Sequence, residues 1–114
     1  MTKDLTIHVK IWFEKKGESI IGPGRLAILE AINETGSLTQ ATEMCNISFR
    51  KAWKLINEIN DKLEQPVIST ERGGKGGGGG TVLTEYGKKL LMQYKKIQSK
   101  LDEIVHDPDI WSEL

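Results

Sequence analysis

The sequence predicts a single α+β domain that is mainly helical, and three observations lead to that fold class. Apolar residues recur every three or four positions through the middle and the end of the chain, which is typical of helices. Two short β-prone runs flank a glycine-rich tract, which is typical of a hairpin. The length of 114 residues, with 38% apolar residues, suffices for one hydrophobic core. Residues 1–114 are therefore expected to form one domain.

The N-terminal segment is predicted to form a half-buried strand. Apolar residues occupy the odd positions from Leu5 to Phe13, and the even positions are Thr6, His8, Lys10 and Trp12. This period of two is typical of a strand with one face against the core. A turn is expected at residues 15–18, and residues 19–21 are expected to form a short return strand.

Three helices are predicted after this hairpin. Pro23 suits the first turn of a helix, and Gly36 is a natural C-cap for its end. Ser37 opens a capping-box pattern for a second helix that runs to Met44, and Asn46 tolerates the left-handed backbone of a tight turn. A third helix is expected over residues 48–63, with one apolar face formed by Ala52, Leu55, Ile56, Ile59 and Leu63.

The C-terminal part is predicted to contain a second hairpin and a long helix. Residues 67–69 and 81–83 are expected to pair as strands around the glycine tract at residues 73–80. Thr84 is the expected N-cap of a helix over residues 84–106, and an acidic tail follows at residues 107–114. The apolar seam of this helix is longer than a small domain needs for its own core, which predicts a partner helix and hence a homodimer. Its residues are Tyr86, Leu90, Tyr94, Ile97, Leu101 and Ile104.

This order of elements is the layout of a winged helix-turn-helix with a C-terminal dimerisation helix. The second helix, the tight turn and the third helix form the unit that enters the DNA major groove in such folds. The exposed face of the third helix is expected to carry Arg50, Lys54 and Asn57, with Lys51 beside them. Arginine pairs with guanine, asparagine with adenine, and lysine more often with phosphate. The alternative, a solvated helix face without function, is the less favoured interpretation once the order of elements is considered.

The charge distribution permits a nucleic-acid partner although the formal net charge is zero. Five acidic residues and no lysine or arginine fall in the last fourteen positions. The first hundred residues therefore hold all sixteen basic side chains against eleven acidic ones, a net charge of +5. Local positive charge steers a protein towards phosphate, so overall neutrality is weak evidence against DNA binding.

Several groups of residues resemble the N-terminal DNA-binding domain of the ModE family of molybdate-responsive regulators, a winged helix related to those of LysR-type regulators. The resemblance covers about residues 5–100, and its most specific part combines an Arg-Lys-Ala-Trp run with the glycine tract. The matching groups are Gly22-Pro23-Gly24-Arg25, Glu30-Ala31-Ile32, Glu34-Thr35-Gly36-Ser37, Ser48-Phe49-Arg50-Lys51-Ala52-Trp53, the tract from Gly73 to Gly79, and Leu83-Thr84-Glu85-Tyr86-Gly87.

The resemblance implies a sequence-specific transcription regulator whose partner is double-stranded DNA. It places the start of the recognition helix at residues 48–51 and the wing at residues 72–80. Asn46 stands where the family usually has glycine, which asparagine can replace. The chain ends at residue 114, so neither the C-terminal oxyanion-binding module, molybdate sensing nor another small-molecule effector is expected. The candidate DNA-binding residues are Ser37, Thr39, Ser48, Phe49, Arg50, Lys51, Lys54, Asn57, Arg72, Gly74, Lys75 and Gly76.

Other chemistry finds little support in the sequence. Lys75 is followed by glycine, which argues against a nucleotide-binding P-loop, and no metal-ligand or nucleophile–base motif is present. No catalytic residue, cofactor or metal is therefore predicted. Cys45 is expected to be a small packing residue, with a redox sensor as the alternative. Trp53 is expected to pack at the edge of the third helix, with contact of Phe49 or Trp53 to a thymine methyl as the alternative.

The expected setting is the cytoplasm. The sequence has no signal peptide, no membrane-spanning run and a single cysteine. A second function also stays open, since a winged-helix scaffold can serve as a protein-interaction module that docks through its last helix. Loss of DNA binding on substitution of Arg50 is the observation that separates the two hypotheses.

Overall fold

The computed structural model describes residues 4–71 and 80–112, which form five helices and four short strands. The strands are β1 (Phe13–Lys15), β2 (Glu18–Ile21), β3 (Ile68–Glu71) and β4 (Gly80–Leu83). The helices are α1 (Pro23–Thr35), α2 (Leu38–Cys45), α3 (Phe49–Lys62), α4 (Glu85–Val105) and α5 (Pro108–Trp111). Up to α4 this is the predicted α+β order, a strand hairpin, three helices, a second hairpin and a long helix, and it is a winged helix-turn-helix. The short helix α5 was not predicted and lies in the segment expected to be an acidic tail.

The strands form two antiparallel pairs. In the first pair Lys15 faces Glu18 across a turn in which Lys16 and Gly17 both have positive φ, the geometry of a tight two-residue hairpin. In the second pair Ile68 faces Leu83. The predicted pairing around the glycine tract is therefore confirmed, although β3 begins one residue later than expected. Residues 73–79 of the tract lie outside the described residues.

The prediction of a strand over residues 5–13 is wrong for most of its length. Residues 5–12 have no regular secondary structure, and Leu5, Ile7 and Val9 are 46%, 40% and 52% exposed. Alternating apolar residues indicate a face to be covered, but a strand also needs a neighbour that supplies backbone hydrogen bonds. In the described part of the chain, no strand pairs with this segment.

The helix ends follow the sequence closely. Gly36 caps α1 in the left-handed conformation, at φ 67°. The Ser37 hydroxyl accepts a hydrogen bond from the Gln40 backbone N–H at 3.1 Å, as a helix N-cap does. The reciprocal bond of a capping box is absent, because the Ser37 N–H donates instead to the Thr35 hydroxyl at 3.1 Å. Helix α2 also ends at Cys45, one residue beyond the prediction.

One hydrophobic core joins the helices and strands. Its centre is Tyr94 of α4, which is fully buried, packs against Phe13 with ring centroids 5.2 Å apart and donates a hydrogen bond to the Ile11 carbonyl at 2.5 Å. The buried apolar residues are Ile20, Ile21, Leu26, Ile28, Leu29, Ala31, Ile32, Leu38, Ala41, Ala52, Ile56, Ile59, Val67, Ile68, Leu83, Leu91 and Tyr94.

Only the first half of α4 belongs to this core. Its buried residues are Gly87, Leu91 and Tyr94, so Leu91 takes the place that the sequence pattern assigned to its neighbour Leu90. Beyond Tyr94 the predicted apolar seam is largely uncovered, with Ile97 and Ile104 43% and 54% exposed. The predicted acidic tail begins with the short helix α5, and the Trp111 indole N–H donates to the Val105 carbonyl at 2.7 Å. The distal half of α4 therefore leaves the body of the domain with an apolar stripe on its surface.

Candidate nucleic-acid interface

The turn between α2 and α3 fixes the angle between these helices. Asn46 takes the left-handed conformation at φ 55° and ψ 46°, as predicted for an asparagine in this position. The Ile47 N–H then donates to the Thr42 carbonyl at 3.1 Å, which closes the end of α2. Since both helices bury one face in the core, the turn leaves the opposite face of α3 in solvent.

Helix α3 begins at an N-cap and is strongly amphipathic. The Ser48 hydroxyl accepts a hydrogen bond from the Lys51 backbone N–H at 3.0 Å, so the side chain of this candidate DNA contact is also the helix cap. Ala52, Ile56 and Ile59 are buried on the inner face. The exposed side chains of the outer face include Arg50, Lys51, Lys54 and Asn57, in agreement with the predicted face.

A shallow groove of about 440 Å³ runs along the outer face of α3, and we call it the α3 groove. Its lining residues are Ser48, Arg50, Lys51, Lys54, Leu55 and Glu58. Among the side chains of residues 4–70 and 80–112, no carboxylate lies within 4 Å of the charged groups of Arg50, Lys51 or Lys54. Three cations thus share one groove with no ion-pair partner among the described side chains, an arrangement that suits a multiply charged anion such as a nucleic-acid backbone.

An aromatic pair lies along one edge of α3. Phe49 and Trp53 pack edge to face with ring centroids 6.3 Å apart, and Phe49 is 52% exposed. Trp53 is half-buried against the core, as expected for a residue at the edge of the helix. The exposed ring of Phe49 supplies an apolar surface of the type that contacts a thymine methyl.

The remaining candidate residues lie elsewhere. Ser37 caps α2 and Thr39 is exposed on its first turn, so neither lines the α3 groove. The candidates of the proposed wing, Arg72, Gly74, Lys75 and Gly76, lie outside the described residues.

Two residues that were not among the predicted DNA contacts hold α3 in place. The Arg25 guanidinium of α1 contacts the Glu58 carboxylate of α3 at 2.6 Å and donates to the Ile20 carbonyl of β2 at 3.0 Å. Arg25 and Glu58 are 33 positions apart, and no local pattern indicates that they meet.

The surroundings of Cys45 are those of a packing residue. Cys45 is half-buried and packs against the core, and burial raises the pKa of its thiol. A raised pKa lowers the thiolate fraction at neutral pH, which favours the packing interpretation over a redox sensor.

Among the residues that the structure describes, no group of three His, Cys, Asp or Glu side chains could hold a metal ion. The helices of these same ranges include none long and apolar enough to cross a membrane.

Fold and site together define a winged helix-turn-helix protein with a cationic third helix. No family model matches the chain. The DNA-binding transcriptional dual regulator ModE of Escherichia coli (strain K12) is 39% identical over 90 residues, which cover 76% of this chain and 34% of that protein. The transcriptional regulator ModE of Yersinia pestis is 37% identical over 91 residues, and the molybdenum-pterin-binding protein MopB of Rhodobacter capsulatus is 36% identical over 85 residues.

These comparisons confirm the resemblance drawn from the sequence. Over about three quarters of its length the chain is homologous to transcriptional regulators of the ModE type. The chain spans about a third of the length of the curated relatives that it matches. The homology therefore extends to one segment of those proteins.

Proposed function

We propose that the protein binds double-stranded DNA with sequence specificity and regulates transcription as a homodimer. The observation that carries the proposal is the α3 groove, where Arg50, Lys51 and Lys54 lie together on the outer face of a helix held by a helix-turn-helix. The fold places such a helix in the major groove. The relatives from Escherichia coli and Yersinia pestis are named as transcriptional regulators, which also supports the proposal.

Each side chain of the face has a role that its chemistry suits. The guanidinium of Arg50 can donate two hydrogen bonds to O6 and N7 of guanine, and the amide of Asn57 can pair with adenine in the same way. Lys51 and Lys54 are proposed to contact phosphates, which set the register of the helix on the duplex. The tract at residues 72–80 is proposed as a wing that approaches the sugar-phosphate backbone, with Arg72 and Lys75 supplying charge.

Dimerisation is proposed through the distal half of α4. The described residues measure 62 × 31 × 23 Å with a radius of gyration of 17.4 Å, whereas a compact domain of this length has about 13 Å. The exposed Ile97 and Ile104 lie two turns apart on one stripe of the helix. Leu5, Ile7 and Val9 add further exposed apolar surface, and Ile7 and Val9 line the same cavity as Leu101 and Val105 of α4. A second copy would bury this surface and place two α3 helices about 34 Å apart on DNA.

Substitution of Arg50 tests the proposal. We expect Arg50→Ala to weaken binding to a specific duplex by about 1–3 kcal/mol, since a bidentate contact to guanine is lost. Binding to unrelated duplexes should change much less. Fluorescence anisotropy with labelled duplexes measures both affinities.

The matched control is Lys95→Ala, which also removes one cation. Lys95 is exposed on α4, pairs with Glu30 of α1 at 3.5 Å and does not line the α3 groove. Equal losses in Arg50→Ala and Lys95→Ala would contradict the proposed role of Arg50. If the protein is instead an interaction module that docks through its last helix, Arg50→Ala should leave its association with a partner protein unchanged.

A further inference from the structure

Arg25 connects three elements of the fold through one guanidinium group. Its Nη1 donates to the Ile20 carbonyl at the end of β2, at 3.0 Å, and its Nη2 contacts Oε2 of Glu58 at 2.6 Å. The side chains of Arg25 and Glu58 are 24% and 36% exposed, so solvent screens this pair less than a fully exposed one. The planar guanidinium can serve both acceptors at once, which a lysine ammonium on a flexible stem does less well.

The Glu58 carboxylate lies on the cationic face of α3. Glu58 follows Lys54 by four positions, one helical turn, and both side chains line the α3 groove. Of the described residues that line this groove, Glu58 alone is acidic. An uncompensated carboxylate there would repel phosphate and attract Lys54, whose charge would then be neutralised within the protein.

We propose that Arg25 is a positioning residue for DNA binding, because it compensates the charge of Glu58 and leaves Lys54 available to phosphate. This inference rests on the proposed function of the α3 groove. Arg25 acts through Glu58, and its own contacts lie between α1, β2 and α3.

Loss of Arg25 would leave Glu58 with two lysine neighbours one turn away on α3. Lys62, on the C-terminal side, already contacts Glu18 of β2 at 3.5 Å. Lys54, on the N-terminal side, has no carboxylate within 4 Å among the described residues. The released carboxylate is therefore expected to turn towards Lys54 and remove one cation from the groove.

The test compares Arg25→Gln, Glu58→Gln and the double variant Arg25→Gln/Glu58→Gln with the unaltered protein. Anisotropy over a salt series gives the affinity for a duplex that the unaltered protein binds, and thermal unfolding shows that each variant is folded. We expect Arg25→Gln to bind about two- to tenfold more weakly, and the slope of log K against log salt to fall by about one. The double variant should recover affinity to within about twofold, because neither charge remains.

A role in packing alone predicts a different pattern. Both single variants would then lose affinity, and the double variant would bind no better than Arg25→Gln. That result, or unchanged affinity in Arg25→Gln, would overturn the inference. Lys95→Gln is the control for loss of one positive charge and should bind like the unaltered protein. Should Arg25→Gln not fold, Arg25→Lys serves instead: it keeps the charge, so the inference requires near-normal affinity, and a loss as large as that of Lys54→Gln would overturn it.

Elution from a heparin column separates this inference from the proposed function. Heparin is a polyanion without base sequence, so the salt needed for elution reports the available cations alone. We expect Arg25→Gln to elute at lower salt and the double variant to elute with the unaltered protein. If no duplex is bound but this pattern holds, the proposed function fails and the charge compensation stands. If duplexes are bound and elution is the same for all variants, the compensation fails alone.

Discussion

At the residue scale, Gly87 shows how a single missing side chain lets two elements meet. A Cβ atom built on Gly87 would overlap the carbonyl oxygen of Val67 and lie 3.0 Å from its carbonyl carbon. Those are backbone atoms, and the Thr84 N–H also donates to the Val67 carbonyl at 3.0 Å, so this backbone cannot easily move away. The glycine is needed for close approach of the start of α4 to the start of the second hairpin.

We expect Gly87→Ala to lower the free energy of unfolding by about 1–3 kcal/mol, since overpacking against backbone costs that much. Chemical denaturation followed by circular dichroism measures the change. Gly24→Ala is the matched control, because Gly24 lies in helix α1 with nothing within 4 Å of its built Cβ. That variant should be neutral or more stable by up to about 1 kcal/mol. Comparable losses at the two glycines would show that the approach to Val67 is not the cause.

Tyr94 couples the N-terminal segment to the core and makes stability depend on alkaline pH. Burial raises the pKa of its phenol above the ordinary value of 10.0. The unfolded chain therefore ionises first as pH rises, so the stabilisation from a neutral, buried Tyr94 is complete below pH 10 and is lost progressively above it.

We expect Tyr94→Phe to be less stable by about 0.5–1.5 kcal/mol at neutral pH, through loss of the hydrogen bond to Ile11. The stability difference between the two proteins should shrink above pH 10, because phenylalanine does not ionise. Urea unfolding at pH 7, 9 and 10.5 measures both effects. A difference that stays constant up to pH 10.5 would contradict the burial effect on the phenol.

At the element scale, the sequence predicted best those elements whose signals are local. Each of these signals lies within a few residues of the feature that it specifies, and the structure contains each feature. They are the apolar period of α3, the left-handed conformation of Asn46 and the serine and threonine N-caps. The strand predicted over residues 5–13 failed because alternation does not say which chain pairs with it. The contact of Arg25 with Glu58 could not be predicted either, since it depends on how α1 and α3 pack.

The distal half of α4 is the element on which the proposed dimer depends. We expect Ile97→Glu and Ile104→Glu each to shift the protein from dimer to monomer, because each places a charge in the buried interface. Sedimentation velocity measures the populations. Met92→Glu is the matched control, since Met92 is 61% exposed on the same helix but lies about 140° around it from Ile97. A dimer that tolerates both isoleucine substitutions would show that its interface lies elsewhere.

At the scale of the whole molecule, the order of elements up to α4 was predictable, whereas the homodimer predicted from the apolar seam of the last helix stays a prediction. The helices α1 to α4 and the second hairpin each follow from a run of fewer than about twenty-five residues, and one core joins them. The candidate site was predictable for the outer face of α3, because the buried residues of one helix determine which side chains remain outside. The exposed apolar stripe beyond Tyr94 is the feature of the folded chain that supports the proposed contact with a second copy.

The distribution of charge along the whole chain also bears on how the proposed complex with DNA would form. Five acidic residues follow Lys100 in the sequence, while the cations Arg50, Lys51 and Lys54 lie on the separate helix α3. In the proposed complex, acidic residues around the end of α4 would repel DNA that approaches without the correct orientation. Specific binding would then depend on α3 more than on net charge, which is formally zero.

The most direct test of the central claim is selection from a pool of duplexes cut from the genome of the source organism. Anisotropy across a salt series then compares the selected duplexes with random ones for the unaltered protein and Arg50→Ala. We predict affinity that falls steeply with salt, selected duplexes with two half-sites about 34 Å apart, and loss of that selection in Arg50→Ala. A folded dimer that binds no duplex at low salt would contradict the claim that α3 binds DNA.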